Sequence, residues 1–153
     1  MNCSEICNRS VVVAHPSETV AEAVKLMDRH DVGTIVVVEG EAEHRKPVGI
    51  VTDRDIVLDV LAKDLRKDAI SLGEIMSLDL VTARETDDVS TTLKHMRAGG
   101  VRRIPVVDDQ GYLKGVISTS DVMETLAEGM MAIAKLHAPF STHSIEGKGN
   151  CHE

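Results

Sequence analysis

The chain repeats itself, and that repeat fixes most of what it can fold into. Gly49-Ile50-Val51-Thr52-Asp53-Arg54-Asp55 returns as Gly115-Val116-Ile117-Ser118-Thr119-Ser120-Asp121. Each copy reads as a buried β-branched strand running straight into a helix, and its glycine leaves room for another backbone to come close. Thr52 and Ser118 stand where a helix N-cap belongs. Asp55 and Asp121 follow three residues later, in a pattern close to a capping box. Apolar residues then recur at helical spacing, Ile56, Val57, Val60 and Leu61 in one copy and Val122, Met123 and Leu126 in the other.

The rest of the chain aligns with itself on the same basis. Val20 matches Val89, Met27 matches Met96 and Val32 matches Val101, each 69 positions apart, while Asp55 and Asp121 are 66 apart. The difference falls in the polar loop 39–47, which is longer than its counterpart 108–114, and insertions collect in hairpin loops. Each half reads β-α-β-β-α. Short strands are expected at 11–13 and 80–82, then amphipathic helices carrying Val20, Ala23, Val24 and Met27 or Val89, Leu93 and Met96. Hairpins 34–38 with 47–51 and 103–107 with 113–117 follow, and the final helices start at Thr52 and Ser118. The fold class is therefore α/β (α+β), with repeats at 1–66 and 67–129 and a charged linker at 63–71. Residues 130–153 are read as a helical extension and then a mobile tail from Ser141. A half of about 60 residues is marginal alone, so the halves should pack strand face to strand face about an approximate twofold axis.

Composition excludes several functions. The chain is 42% apolar but has one Tyr, one Phe and no Trp, so its interior must be aliphatic. With 17 basic against 25 acidic residues its formal charge is −8, which argues against nucleic acid as a partner. No apolar run approaches the ~20 residues that cross a bilayer, so no membrane is expected. Residues 1–10 lack the apolar stretch of a secretory signal, and an odd number of cysteines makes no disulfide framework, so a cytoplasmic location is expected. Cys3, Cys7 and Cys151-His152 match no usual zinc spacing, and no metal is expected. Neither a Walker A loop nor a nucleophile elbow nor a paired His/Cys arrangement is present, so catalysis is not expected and no cofactor is required.

The double unit, with glycine-aliphatic-aliphatic-Thr/Ser-x-x-Asp at its last strand-to-helix junction, resembles a tandem pair of cystathionine-β-synthase (CBS) domains. Val101-Arg102-Arg103-Ile104-Pro105-Val106-Val107-Asp108 is similar to that family's second-strand signature. The resemblance covers about residues 5–128 and points to the stand-alone members. It implies a regulatory module that binds an adenosine-bearing ligand between the repeats, AMP foremost, with ADP, ATP, NAD and S-adenosylmethionine as further candidates. It also implies a homodimer and a regulated partner protein that the sequence does not identify.

On that resemblance Asp55 and Asp121 would accept hydrogen bonds from ribose hydroxyls. Thr52, Ser118 and Ser120 would meet ribose or phosphate. Arg54, Arg102 and Arg103 would meet phosphate, with Arg84 a further cation nearby. Val11, Val12, Val13, Ile35, Val81, Ile104 and Val106 are the aliphatic candidates to hold adenine, and Pro105 would also line the ligand cleft. Arg102 and Arg103, if both lie in a strand, would point to opposite faces, so at most one would reach a given cleft. Simple helix capping by Asp55 and Asp121 needs no ligand, and both roles can coexist. The alternative function is a ligand-free structural or protein-interaction module that dimerises. The two clefts should differ, because Asp53-Arg54 in one half faces Thr119-Ser120 in the other.

Overall fold

The β-branched runs pair as two small sheets, seen in a computed structural model that describes residues 1–137. The expected tail from Ser141, with Cys151 and His152, lies outside those residues. In the first sheet β2 (Thr34–Glu39) is central, parallel to β1 (Val13–Ala14) and antiparallel to β3 (Lys46–Thr52). The second sheet repeats this with β4 (Ala83–Arg84), β5 (Arg103–Val107) and β6 (Leu113–Ser118). Even the irregularities match: both central strands shift register at equivalent places, between Val37 and Val38 and between Val106 and Val107.

Helix α2 (Val20–His30) lays Val20, Ala23 and Met27 onto Ile35, Val37 and Val51. Helix α5 (Val89–Gly99) lays Val89 and Met96 onto Ile104, Val106 and Ile117. The opposite face of β2 carries Val36 and Val38, which are also buried. Both faces of this sheet are therefore covered, one by helices and one by the facing repeat, as face-to-face packing requires.

Two helices go beyond the sequence reading. Helices α1 (Cys3–Ile6) and α4 (Leu72–Ile75) are four residues each, too short for a 3.6-residue period to register. Each serves the other repeat. Cys3 is fully buried in the second core, where its Sγ lies 3.1 Å from the buried Thr92 hydroxyl. Leu72 is fully buried in the first core, and its N–H donates to the Glu18 carbonyl at 2.8 Å. The sequence repeats 1–66 and 67–129 and the two hydrophobic cores are thus different partitions of the chain.

The backbone approach expected at the glycines is made at Gly115 by the segment after α1, whereas at Gly49 it is the Met76 side chain, after α4, that comes close. A Cβ at Gly49 would stand 2.6 Å from Met76 Sδ. One at Gly115 would stand 2.8 Å from the Asn8 carbonyl oxygen and 2.9 Å from Cys7 Sγ.

The first strands begin later than expected. β1 starts at Val13 rather than 11, and β4 at Ala83 rather than 80. The preceding residues are extended but do not enter the ladder, with one bond from the Val36 N–H to the Val12 carbonyl leading into it. The last helices also differ between the halves. Helix α3 (Asp53–Ile56) passes into a π-turn at Val57–Leu61, whereas α6 (Thr119–His137) is continuous across the boundary drawn at 129.

Reciprocal caps at two helix starts set an acid limit on the fold. The Thr19 and Ser71 N–H groups each donate to a glutamate, Glu22 and Glu74, at 2.7 Å. These backbone bonds hold both carboxyls below the usual glutamate range. A depressed folded value means the caps contribute fully above the unfolded pKa and are lost as pH falls through the lowered one. Thermal melts taken from pH 7 down to pH 3 should therefore show a shallower acid decline in Glu22→Gln than in the parent chain. Identical slopes would remove Glu22 from the acid response.

Candidate functional site

Both repeated junctions fold as their sequence spacing dictates. The Thr52 N–H donates to Asp55 Oδ2 at 2.8 Å, and the Asp55 N–H returns a bond to Thr52 Oγ1 at 3.2 Å. At the second junction the Ser118 N–H and hydroxyl donate to Asp121 Oδ2 at 2.7 and 2.6 Å, and the Asp121 N–H donates to Ser118 Oγ at 3.2 Å. The acids are helix caps. Capping uses one oxygen of each carboxylate, and the other makes no hydrogen bond among the described residues. Both acids are half-buried rather than enclosed. Neither groove is filled by side chains.

The larger groove, a cavity of about 710 Å³, opens beside Asp55. One wall is the junction Thr52, Asp53, Arg54 and Asp55, and the other comes from the second repeat through Leu80, Val81, Val101 and Ile104. Arg102, Arg103, Ser118 and Ser120 complete its rim. Arg54, Arg102 and Arg103 form no ion pair among the described residues, so three guanidinium groups stand ready for an anion in an otherwise acidic chain. The smaller groove, about 240 Å³, lies beside Asp121 and is lined by Val11, Val12, Val32 and Val116 with Asp31 and Arg103. Val12 and Val81 are repeat partners, and each lines its own groove.

Two swaps at equivalent positions distinguish the grooves. The Asp53 N–H donates to the Gly33 carbonyl at 3.0 Å, and the Thr119 N–H donates to the Arg102 carbonyl at the same distance. Gly33 and Arg102 are thus equivalent. A Cβ on residue 33 would stand 2.8 Å from Asp53 Oδ2, the end of an exposed side chain that could move aside. In the second repeat the equivalent position carries Arg102 beside Thr119.

Several sequence expectations need correction. Pro105 lines neither groove. It is buried within β5 opposite Val116, on the face turned from the helices. Arg102 and Arg103 both border the larger groove, because β5 begins at Arg103 and Arg102 is free of strand alternation. Ile35 and Val106, fully buried in the two cores, and Val13, paired in β1, are structural. Arg84 stands on β4 away from both grooves, its N–H bonded to Asp87. Sequence reasoning passed over Ser77, Asp79 and Thr34. Ser77 pairs with Ile50 and so carries the linker across the groove mouth. The one available clue was that Thr34 is the repeat partner of Arg103.

Two sheet-and-helix repeats facing each other across composite grooves define a tandem-repeat module. The family model for the CBS domain matches residues 3–62 and 72–128, and the chain belongs to the CBS-domain family. An uncharacterised protein of Methanopyrus kandleri is 33% identical over 124 residues, which span 81% of this chain and 62% of that relative's length. A CBS domain protein from Pyrobaculum aerophilum, solved in complex with AMP, superposes with a TM-score of 0.72 at 28% identity, covering 84% of this chain and 99% of the other. The CBS domain pair of protein MJ0100, solved with 5′-methylthioadenosine and S-adenosyl-L-methionine, gives 0.72 at 26% identity, covering 84% and 98%.

Proposed function

We propose that this chain is a regulatory module that binds an adenosine-bearing ligand, AMP foremost, in the larger groove and signals its occupancy to a partner protein. The observation that carries the reading is the open groove of about 710 Å³ lined by Asp55, one of whose oxygens makes no hydrogen bond among the described residues, and by three arginines that form no ion pair among them. Its size lies within the range of about 300–1,000 Å³ usual for small-molecule sites. Asp55 accepts from the ribose diol, the arginines take phosphate in charge-assisted bonds, and Val81, Val101 and Ile104 flank adenine. The adenosine ligands held by two structural relatives support this assignment. The reading is non-catalytic and places the chain in the cytoplasm, with Cys3 and Cys7 as free thiols.

A second reading, an interaction module, is favoured by a different feature. Helix α6 exposes Met123, Leu126, Met130, Ile133 and Leu136, an apolar display that suits self-association into a homodimer. The two readings separate cleanly in a titration. Calorimetry with AMP, ATP, NAD and S-adenosylmethionine should give saturable heat for AMP. At a hundred times its Kd, AMP should add about 2.7 kcal/mol of apparent stability. No heat from any of the four at millimolar concentration would leave only the interaction module.

A further inference from the structure

The two grooves share a wall. Gly33, Thr34, Arg103 and Ser118 border both. Thr34 and Arg103 are repeat partners, and Arg103 Nη1 donates directly to Thr34 Oγ1. Equivalent positions can touch each other only on the axis that relates the repeats. Arg103 therefore stands at the pseudo-twofold axis, with a groove on either side and a threonine, not a second arginine, as its counterpart.

The two grooves depend on this cation unequally. The larger one also has Arg54 and Arg102. The counterparts of those residues are Ser120 and Gly33, so the smaller groove inherits no replacement. Among the residues lining it the charged groups are Asp31, Asp121 and Arg103, two acids and one base. The smaller groove also has about a third of the volume of the larger.

We propose, building on the adenosine-binding reading above, that Arg103 is a single phosphate-binding cation shared by both grooves and makes their occupancy by nucleoside phosphates mutually antagonistic. A guanidinium binds phosphate by presenting a planar pair of N–H donors, and it cannot present that pair in two directions at once. When a phosphate in the larger groove engages Arg103, a second phosphate in the smaller groove meets only Asp31 and Asp121. An uncharged nucleoside does not suffer this conflict. The smaller groove thus selects adenosine, or an adenosine derivative without a 5′-anion, whenever the larger one holds AMP. By linkage, AMP in either groove weakens AMP in the other by the same factor.

Calorimetry on the full chain with AMP and with adenosine tests this. In the parent chain AMP should bind in two steps separated by at least tenfold in Kd. Adenosine should still bind one further site when AMP is held at a concentration that fills only its tighter step. In Arg103→Ala the first AMP step should weaken by about tenfold, the loss typical of a hydrogen bond to a charged group, and the second should stay within about twofold. Both adenosine steps should be unchanged. Arg103→Lys, which keeps the charge but not the planar fork, should fall between parent and alanine and covers the case in which the alanine chain does not fold. Two equal and independent AMP sites would overturn the sharing of Arg103 while leaving the adenosine-binding reading intact. The same holds if Arg103→Ala weakens adenosine as much as AMP. Absence of binding by both ligands would overturn that reading and this one with it.

Discussion

Asp55→Ala is expected to weaken AMP binding by roughly 10- to 100-fold and to lower the melting temperature by roughly 3–5 °C. The two effects come from different oxygens of one carboxylate. Oδ2 is committed to the Thr52 N–H at 2.8 Å, so its removal frees a helix-start donor, worth about 1 kcal/mol in a typical cap. The other oxygen makes no hydrogen bond among the described residues, and Asp55 borders the larger groove, where a hydrogen bond to a charged acceptor contributes about 1.5–3 kcal/mol. Asp55→Asn separates them. An asparagine oxygen still accepts from Thr52, so the melting temperature should stay near that of the parent. Its amide presents a donor where the carboxylate presented an acceptor, so affinity should fall almost as far as in alanine. Calorimetry and thermal melts on the same preparations check both halves. An asparagine chain that binds AMP like the parent would reduce Asp55 to a cap and nothing more.

The junctions were legible because each places a strand, a cap and an amphipathic helix within a dozen residues and then does so again. The capping bonds at Thr52 and Ser118 follow from local spacing alone, and local spacing is what a sequence displays. The close approach at Gly49 and Gly115 was legible for the same reason, though not the identity of what approaches. Helices α1 and α4 were invisible. Four residues carry no period, and the forces that hold Cys3 and Leu72 come from the other repeat. Local propensity says nothing about a partner about 90 residues away, such as Thr92 for Cys3.

The site was legible at its acids and only partly at its cations. Alternation would send Arg102 and Arg103 to opposite faces only if both lay in the strand, and β5 begins at Arg103, as its expected bounds 103–107 require. Pro105 stands in the motif that suggests a ligand-lining role, yet the pleat turns it toward the packed interior. The position of Thr34 could have been reached by one further step. Any residue whose repeat partner lies on the axis must itself lie there, and the 69-residue offset makes Thr34 the partner of Arg103. What no alignment of the chain with itself supplies is where the axis passes.

The exchange of short helices between repeats leads to the largest expected effect on stability. Leu72→Ala should cost about 3 kcal/mol, within the usual range for a buried leucine, and lower the melting temperature by roughly 10 °C. Leu72 is fully buried, yet it belongs to a four-residue helix just after the linker that supplies the first core across a repeat boundary. Leu78, six residues on and 77% exposed, provides the control, and Leu78→Ala should change stability by less than about 0.5 kcal/mol. The consequence reaches the groove as well. Met76 and Ser77 follow directly from α4, and Ser77 donates to the Ile50 carbonyl at 3.1 Å at the groove mouth. Loosening α4 should therefore weaken AMP binding even though Leu72 borders neither groove. Denaturant melts of both variants, followed by AMP titration of Leu72→Ala under conditions where it remains folded, measure the two effects. Equal stabilities for the two variants would mean that residues 72–75 do not belong to the first core, and the exchanged architecture would fall.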